Sequence, residues 1–423
     1  MLARIGGRIR DNLHDPGTVL AIVLIAAFAA RVAWLNLPRG GLIFDEAYYV
    51  NAARTLLGWT VPDGAHYAGS LAGLDPNTEH PPLGKLLIAL SMLVFGDNGF
   101  GWRVPSVVAG LIALAATHRI VRTTGESAWM AVLVIGFLAF DNLTLVHGRI
   151  GTLDMLVLAP ILVASWLALR GRWALAGVAV AIGILIKITA IYGVGAILLL
   201  YLMQNGGRWW RERRITFADL RGPIVFVAAF VVVGFAGLAF LDARYTAFAT
   251  PFDHVRRMLE YGAKLAAPTA NTGICPGADS LPWQWIFNEC QIGYLRVDVT
   301  VRAGEEVLRA APSIDFRGAL NPLLAGAIPL SALFVFWYAW RTGNGLARWA
   351  VAWGAANYLT YVALGILTHR ITYIYYLLPA IPAIAAAVAI LLLRAGLPRF
   401  VLWGFVVAYV IGFAAYFPFR QIP

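Results

Sequence analysis

Charged residues are scarce in this chain. Only 13% of its 423 residues are Asp, Glu, Lys or Arg, whereas 60% are hydrophobic. A typical soluble domain has about 25% charged and about 45–50% apolar residues, so it could not cover this much apolar side chain. The composition excludes a soluble enzyme, a disordered chain and a nucleic-acid-binding domain, and it leaves a polytopic helical membrane protein.

Lysine and cysteine are also rare. The only lysines are Lys85, Lys187 and Lys264, so arginine carries most of the positive charge, a bias that we interpret as GC-rich coding in a bacterium. The two cysteines, Cys275 and Cys290, lie in one polar stretch and can form a disulfide only if that stretch faces an oxidising compartment. Spacings typical of His/Cys metal sites, phosphate-binding loops and serine hydrolases are absent from the sequence.

Long apolar runs alternate with short loops that contain arginine. A run of about 20 apolar residues is long enough to span a bilayer as a helix. No cleavage motif follows the first run, so we expect an uncleaved first helix. Eleven spans are predicted, near residues 18–36, 103–121, 127–146, 153–170, 173–187, 189–204, 222–241, 320–341, 346–367, 372–394 and 398–417.

The apolar run at residues 84–96 is too short for a typical span, and its placement decides the topology. If it does not cross, the arginine-containing loops fall on the same side as Arg4, Arg8 and Arg10 of the N-terminus. If it crosses, the later loops fall on the opposite side. Because cytoplasmic loops are enriched in Lys and Arg, we predict eleven spans, a cytoplasmic N-terminus and an external C-terminus.

This topology places two large segments on the outer side, residues 37–102 and residues 242–319. The second is too short and irregular to suggest a separate globular domain. We therefore expect residues 1–423 to form a single all-α polytopic membrane domain, with juxtamembrane helices in the first outer segment.

Ionisable residues at the membrane border are costly, so their clusters are candidate functional sites. Asp45 immediately precedes the stretch EAYYVNAARTLL, which begins at Glu46 and whose pattern predicts an amphipathic helix lying along the membrane. Asp45 fits a helix cap as well as a general base held at a membrane-embedded cavity, and the residues alone leave both alternatives open.

Other polar clusters fall on the same outer side. Glu79 and His80 precede a Pro-Pro pair and Lys85 follows it, which fits a rigid turn with a snorkelling lysine or a site for an anionic lipid headgroup. Arg103 is a further candidate, with snorkelling as its alternative, and so is Arg149 with Asp154, for which a helix cap and a local ion pair are the alternatives. The last candidates are His254 and His369 with Arg370, and the tyrosines that follow Arg370 fit an aromatic belt as well. Cations facing a carboxylate suit a reaction in which a lipid phosphate leaves while a hydroxyl loses its proton.

Taken in order, the motifs resemble those of the protein O-mannosyltransferase family, which has a GT-C membrane fold. The matching stretches are FDEAYY, EHPPLGKLLIAL, GWRVPSVVAG, FDNLTLVHGRIGTLDM and, more weakly, ALNPLL and HRITYIYYLLPAIP. They extend from residue 44 to about residue 383. The family is also known for eleven spans with large first and fourth outer loops, the arrangement that the arginines predict.

The resemblance implies an inverting transfer of a sugar, with mannose expected, from a polyprenyl phosphate to Ser or Thr hydroxyls of a secreted or membrane protein. It implies an integral protein of the bacterial cytoplasmic membrane with its active site on the extracytoplasmic side. The second outer segment is too short for the β-trefoil domain of eukaryotic members, so the chain resembles a bacterial-type member.

Roles for residues follow from the same resemblance. Asp45 would be the catalytic base with Glu46 in support. The donor and its phosphate would be bound by His80, Lys85, Arg103, Arg149, Asp154, His369 and Arg370. This scheme requires no cofactor, but a divalent cation bound by Asp45 and Glu79 stays an open alternative. His254 is a candidate contact of donor or acceptor.

Three other readings compete with this one. A related GT-C transferase that modifies a lipid or an envelope glycan, like the aminoarabinose transferases, has a similar first-loop carboxylate, but lysine usually stands where this chain has His80. A secondary transporter would show inverted repeats and charges near the membrane midplane. A scaffold protein would have no reason to gather these charges on one side.

Overall fold

The computed structural model describes residues 14–265, 275 and 279–420. The N-terminal arginines that help to predict the topology, Arg4, Arg8 and Arg10, lie outside these residues.

Helices make up most of the described chain. In chain order they are α1 (Pro16–Val32), α2 (Glu46–Leu56), α3 (Leu83–Phe95), α4 (Gly99–Thr123), α5 (Ala128–Ala139), α6 (Asn142–His147), α7 (Leu153–Leu169), α8 (Trp173–Ile184), α9 (Ile191–Glu212), α10 (Phe217–Tyr245), α11 (Pro251–Lys264), α12 (Pro282–Ile286), α13 (Pro322–Thr342), α14 (Gly345–Thr368), α15 (Ile381–Arg394) and α16 (Arg399–Ala415). Short 3₁₀ helices, Ile188–Ala190 and Ile374–Ala380, lead into α9 and α15.

The apolar helices fall where the sequence predicts spans. Within the described residues, six helical segments are long and apolar enough to cross a membrane, namely α4, α9, α10, α13, α14 and α15, with α9 and α15 counted together with their 3₁₀ turns. The shorter apolar helices α1, α5, α7, α8 and α16 coincide with the other predicted spans. The helical membrane fold is therefore confirmed, and the count of eleven stays a prediction.

The predicted span at 127–146 is interrupted in the structure. Helix α5 ends at Ala139, and Asp141 then caps the separate short helix α6 by accepting the N–H of Thr144 at 2.9 Å. The other carboxylate oxygen of Asp141 accepts the N–H of Asn321 at 2.8 Å. An apolar run cannot reveal this break, because it comes from one buried carboxylate that organises two distant backbone segments.

The second outer segment is more regular than the sequence suggests. It contains helix α11 and an antiparallel hairpin formed by β1 (Ile292–Ala303) and β2 (Glu306–Gly318). The base of the hairpin is fixed to the end of the chain, because Ile314 forms a bridge with Phe419. Cys275 and Cys290 are joined by a disulfide in the same region, as the polar stretch that they share allows.

Helices α2 and α3 pack together at one end of the bundle, and α3 also contacts α7. Gly84 permits this approach, because a Cβ at this position would lie only 2.5 Å from Leu153 Cδ2. The close contact brings the turn before α3 beside the start of α7. Polar residues from distant parts of the sequence therefore meet at this end of the bundle.

Candidate active site

A cavity of about 700 Å³ lies where α2, α9, α11 and α14 meet. Charged and polar residues that line it are Asp45, Asn77, Glu79, His80, Lys187, Thr189, Thr368 and Arg370. Tyrosines form much of the remaining wall, namely Tyr48, Tyr49, Tyr67, Tyr192, Tyr261, Tyr361, Tyr373, Tyr375 and Tyr376. A pocket with aromatic walls and a few convergent polar groups is a default candidate for a binding site.

The Asp45 carboxylate faces this cavity from the start of α2. Asp45 occupies the N-cap position, but its side chain makes no capping hydrogen bond, so the capping alternative is wrong. Burial and the nearby carboxylate of Asp154 raise the pKa of Asp45 to about 7, an effect that Lys187 partly offsets. A carboxylate with a pKa near neutrality is suited to accept a proton from a hydroxyl.

Lys187 is a cavity residue that the motifs did not single out. Its ammonium donates to Asp154 Oδ1 at 2.7 Å, and both side chains are largely buried. Asp154 therefore lies behind Lys187 and does not line the cavity. The available signal was that Lys187 is one of only three lysines and ends an apolar run.

Arg370 and His80 bring uncommitted nitrogen atoms to the cavity. Among the residues described, Arg370 Nε and His80 Nδ1 are buried without a hydrogen-bond partner. Burial and the positive charges of Lys187 and Lys85 hold the pKa of His80 well below its usual range, so the ring is neutral. His369, which precedes Arg370 in the sequence, is exposed and lies outside the cavity wall. Of these two adjacent residues predicted for the site, only Arg370 therefore lines the cavity.

Glu79 lies on the cavity wall but is already engaged. It accepts a hydrogen bond from Asn77 Nδ2 at 3.0 Å, and its carboxylate is 3.9 Å from Arg257. Within the described residues, no group of three or more His, Cys, Asp or Glu side chains is arranged to hold a metal ion.

Glu46 and Arg103 form a closed network, which fits the supporting role expected for Glu46 but not the donor contact expected for Arg103. Arg103 donates to both carboxylate oxygens of Glu46 at 2.8 and 2.9 Å, and also to the carbonyls of Leu35, Leu37 and Gly41. Glu46 also accepts the backbone N–H groups of Ile43 and Gly151. Every guanidinium N–H is thus committed, and none is left for a substrate phosphate. The pair holds the Asp45 loop in place.

Lys85 and Arg149 are likewise committed to the protein. Lys85 is fully buried and pairs with Asp75 at 2.6 Å, and it donates to the carbonyls of Asn77 and His80. Arg149 donates to the carbonyls of Ala30 and Ala33 at the end of α1. The cavity wall includes neither side chain, so the predicted contacts of both with the donor phosphate are not seen.

His254 is also structural. Its Nδ1 lies 2.6 Å from Asp242 Oδ1, and its Nε2 lies 3.1 Å from the carbonyl of Thr78. These contacts fix α11 to the end of α10 and to the segment before the Pro-Pro turn. His254 is fully buried and does not line the cavity, contrary to the expected contact with donor or acceptor.

An apolar groove of about 350 Å³ adjoins the polar cavity. Residues of α8, α10 and α11 form most of its wall. The two spaces share Ile188, Ile191, Met258 and Leu259 in their walls. A ligand with a polar head and a long apolar tail could therefore occupy both spaces at once.

We expect Arg103→Met to destabilise the protein by about 3–5 kcal/mol, because it leaves the carboxylate of Glu46 buried without its partner. The measurement is thermal unfolding of the purified protein in detergent. Arg103→Met combined with Glu46→Gln should recover part of the loss, since no unpaired charge then remains. A donor KM that rises strongly in correctly folded Arg103→Met protein would instead indicate direct phosphate binding.

Comparison with solved structures defines the class of fold. The S. cerevisiae protein O-mannosyltransferase Pmt1-Pmt2 complex bound to the sugar donor superposes with a TM-score of 0.66 at 11% sequence identity, over 95% of this chain and 90% of that chain. The fold is therefore that of the GT-C membrane glycosyltransferases.

Sequence comparison then shows which proteins this chain resembles. Residues 79–236 match the family model of dolichyl-phosphate-mannose-protein mannosyltransferases. A polyprenol-phosphate-mannose–protein mannosyltransferase of Mycobacterium tuberculosis is 35% identical over 136 residues, which are 31% of this chain and 24% of that protein. The resemblance inferred from the motifs is confirmed over residues 79–236, which match this family model within a GT-C fold.

A second group of relatives is similar over more of the chain. An undecaprenyl phosphate-α-4-amino-4-deoxy-L-arabinose arabinosyl transferase of Pseudomonas savastanoi is 30% identical over 267 residues, which are 58% of this chain and 46% of that protein. This chain thus spans less than half the length of either relative.

Proposed function

We propose that the protein transfers mannose from a polyprenyl phosphate to Ser or Thr hydroxyls of secreted or membrane proteins. The observation that carries the proposal is a single cavity that joins a raised-pKa carboxylate, Asp45, to the cations Lys187 and Arg370. The family match over residues 79–236 supports the choice of mannose and of a protein acceptor.

The shape of the two adjoining spaces supports a lipid-linked donor. The polyprenyl tail lies in the apolar groove, where burial of each CH₂ contributes about 0.8 kcal/mol. The phosphate lies where the groove meets the cavity, within reach of Arg370 and Lys187. The sugar then occupies the tyrosine-lined cavity beside Asp45, since aromatic faces suit the apolar face of a pyranose.

The reaction is a single displacement. The acceptor oxygen forms a bond with the anomeric carbon, the bond from that carbon to the phosphate oxygen breaks, and the hydroxyl proton passes to Asp45. Polyprenyl phosphate leaves with the electron pair, and Arg370 and Lys187 stabilise its charge. One displacement inverts the anomeric centre.

Membrane orientation belongs to the same proposal. The cavity lies at the end of the bundle that carries residues 37–102 and α11, the segments predicted to be on the outer side. We propose that this end faces the outside of a bacterial cytoplasmic membrane, with the N-terminus in the cytoplasm. Translocated polypeptides would meet the cavity on that side.

The proposal is tested by sugar transfer with the full-length protein in nanodiscs. Radiolabelled polyprenyl-phosphate mannose is supplied with a Ser/Thr-rich peptide, and a matched peptide with Ala at every Ser and Thr is the control. We expect label on the first peptide only, in a mannoside whose anomeric configuration, read from the one-bond C1–H1 NMR coupling, is opposite to that of the donor.

A lipid acceptor is the second candidate, favoured by the similarity to the Pseudomonas aminoarabinose transferase over 58% of this chain. A parallel reaction therefore contains aminoarabinose-linked undecaprenyl phosphate and lipid A. Transfer in that reaction, without label on the peptide, would replace the protein acceptor with a lipid. Transfer in neither reaction would overturn both candidates.

A further inference from the structure

Phe44, which immediately precedes Asp45, has a left-handed backbone conformation. Its φ is +55°, a value that residues other than glycine rarely adopt and that is least common for bulky side chains. Such a conformation persists only where surrounding contacts hold it, and it often marks a functional position. The direction in which the Asp45 carboxylate points depends on this one backbone turn.

Tyr294 of strand β1 supplies the holding contact. Its ring stacks on Phe44 with centroids 4.1 Å apart and planes 19° apart. Tyr375 adds an edge contact to Phe44 at 5.4 Å. The base of the β1–β2 hairpin is therefore in direct contact with the loop that carries the proposed base, although the two lie about 250 residues apart in the chain.

The hydroxyl of Tyr294 reaches a second part of the site. It lies 2.9 Å from His147 Nε2, and His147 Nδ1 lies 3.3 Å from Thr152 Oγ1 and 3.7 Å from Asp154 Oδ2. Asp154 in turn holds Lys187. One buried tyrosine thus supports both the loop of the proton acceptor and the residues behind a cavity cation.

We propose that Tyr294 is a positioning residue, whose ring holds Phe44 in the left-handed turn that directs Asp45 into the cavity. The inference rests on the proposed function, because it assigns Tyr294 a part in the proton transfer to Asp45. It also gives the hairpin a role: its base sets the geometry of the reacting end of the cavity.

The experiment compares Tyr294→Leu, which loses the stack and the hydroxyl, with Tyr294→Phe, which keeps the stack. Phe316→Leu is the matched control, since Phe316 is a buried aromatic at the base of the partner strand that contacts Phe419 and Arg149. All variants are full-length proteins in nanodiscs. Phe44→Leu removes the same stack from the other side and serves if Tyr294→Leu does not fold.

The first readout does not need sugar transfer. A hydrophobic carbodiimide labels protonated carboxyls, so mass spectrometry of Asp45 labelling against pH reports its titration. Groups that face Asp45 are Asp154, Lys187, Tyr49, Tyr261, Tyr294, Tyr373 and Tyr375. We expect Tyr294→Leu to shift the labelling midpoint down by at least about half a pH unit, because the loosened loop admits water to the carboxyl. Tyr294→Phe and Phe316→Leu should keep the wild-type midpoint.

The second readout is steady-state transfer. We expect Tyr294→Leu to lower kcat by at least about 10-fold with the donor KM unchanged within about twofold, because misplacing a reacting group slows the chemical step. Tyr294→Phe should retain kcat within about threefold, a rescue that depends on the stack.

Two results would overturn the positioning role. One is a wild-type midpoint and kcat in folded Tyr294→Leu or Phe44→Leu protein. The other is an equal loss in Phe316→Leu, which would show that the hairpin supports the fold in general. If the wild-type protein transfers no sugar, the proposed function fails, whereas the labelling of Asp45 still decides whether Tyr294 positions it.

Discussion

Asp45→Asn is expected to lower kcat for sugar transfer by about 10²–10⁴-fold, the usual contribution of a general base. The carboxylate lies in the cavity, makes no capping hydrogen bond and has a pKa raised to about 7. An amide of the same shape cannot take the hydroxyl proton. The substitution removes no ion pair of Asp45 among the described residues, so the variant should fold like the wild type.

The pH dependence provides a second measurement of the same residue. Only ionised Asp45 accepts a proton, so kcat/KM should rise as pH increases through about 7 and fall below that value as the carboxyl becomes protonated. The residual activity of Asp45→Asn should lack this rise, which is the acidic limb of the pH profile. A wild-type profile that is flat between about pH 5.5 and 8.5 would exclude Asp45 as the base.

Glu46→Gln is the matched control for Asp45→Asn. Glu46 is the adjacent carboxylate, but it is fully buried and bonded to Arg103 and two backbone N–H groups. We expect its loss to reduce thermal stability while the folded fraction keeps the pH limb near 7. A loss of the limb in Glu46→Gln, with Asp45→Asn still active, would reverse the roles of the two carboxylates.

The sequence predicts the membrane fold well because hydropathy is a local property. Each apolar helix owes its position to a run of adjacent residues, and the arginines between the runs add an independent constraint. The break after α5 is the instructive exception. Asp141 interrupts the predicted span because it caps α6 and also accepts the N–H of Asn321, and this second contact is one that no local pattern contains.

The site was predicted only in part, since spacing cannot tell a substrate-binding cation from a structural one. Arg103 and Arg370 both follow a polar outer segment or loop and both belong to motif-like stretches. In the structure Arg103 is saturated by Glu46 and backbone carbonyls, whereas Arg370 Nε has no partner among the described residues. The distinction depends on which acceptors the folded chain brings near each guanidinium.

Lys187 and Tyr294 are site residues that spacing in the sequence could not reveal. Lys187 becomes a site residue through Asp154, and Tyr294 through Phe44 and His147, which are far away in sequence. Neither residue stands in a stretch whose spacing suggests chemistry. Their roles come from packing at the end of the bundle, which only the three-dimensional structure displays.

Charge balance in the cavity makes Arg370 the main candidate for the donor phosphate. The charge of Lys187 is largely matched by Asp154 at 2.7 Å, and His80 is neutral because burial lowers its pKa. No ion pair of 4.0 Å or less joins Arg370 to a carboxylate among the described residues. An uncompensated guanidinium in a partly buried cavity attracts phosphate strongly and binds two of its oxygens at once.

We therefore expect Arg370→Met to lower kcat/KM for the donor by about 10²–10³-fold, comparable to the loss of one preorganised donor to a developing anion. The phosphate gains charge as it leaves, so kcat should fall as well as KM rise. Steady-state kinetics with polyprenyl-phosphate mannose separates the two effects. Arg370→Lys should recover only part of the rate, because an ammonium is a point charge and lacks the planar fork.

His369→Asn tests whether the effect belongs to Arg370 or to the whole loop. His369 is adjacent and exposed, and its φ of +48° is one that asparagine tolerates, so this variant should keep kcat/KM within about twofold. Binding of undecaprenyl phosphate without a sugar offers a further check, since its headgroup is the leaving group itself. If Arg370→Met bound this lipid as tightly as the wild type, the phosphate would have to lie against Lys187, and the charge-balance argument would be wrong.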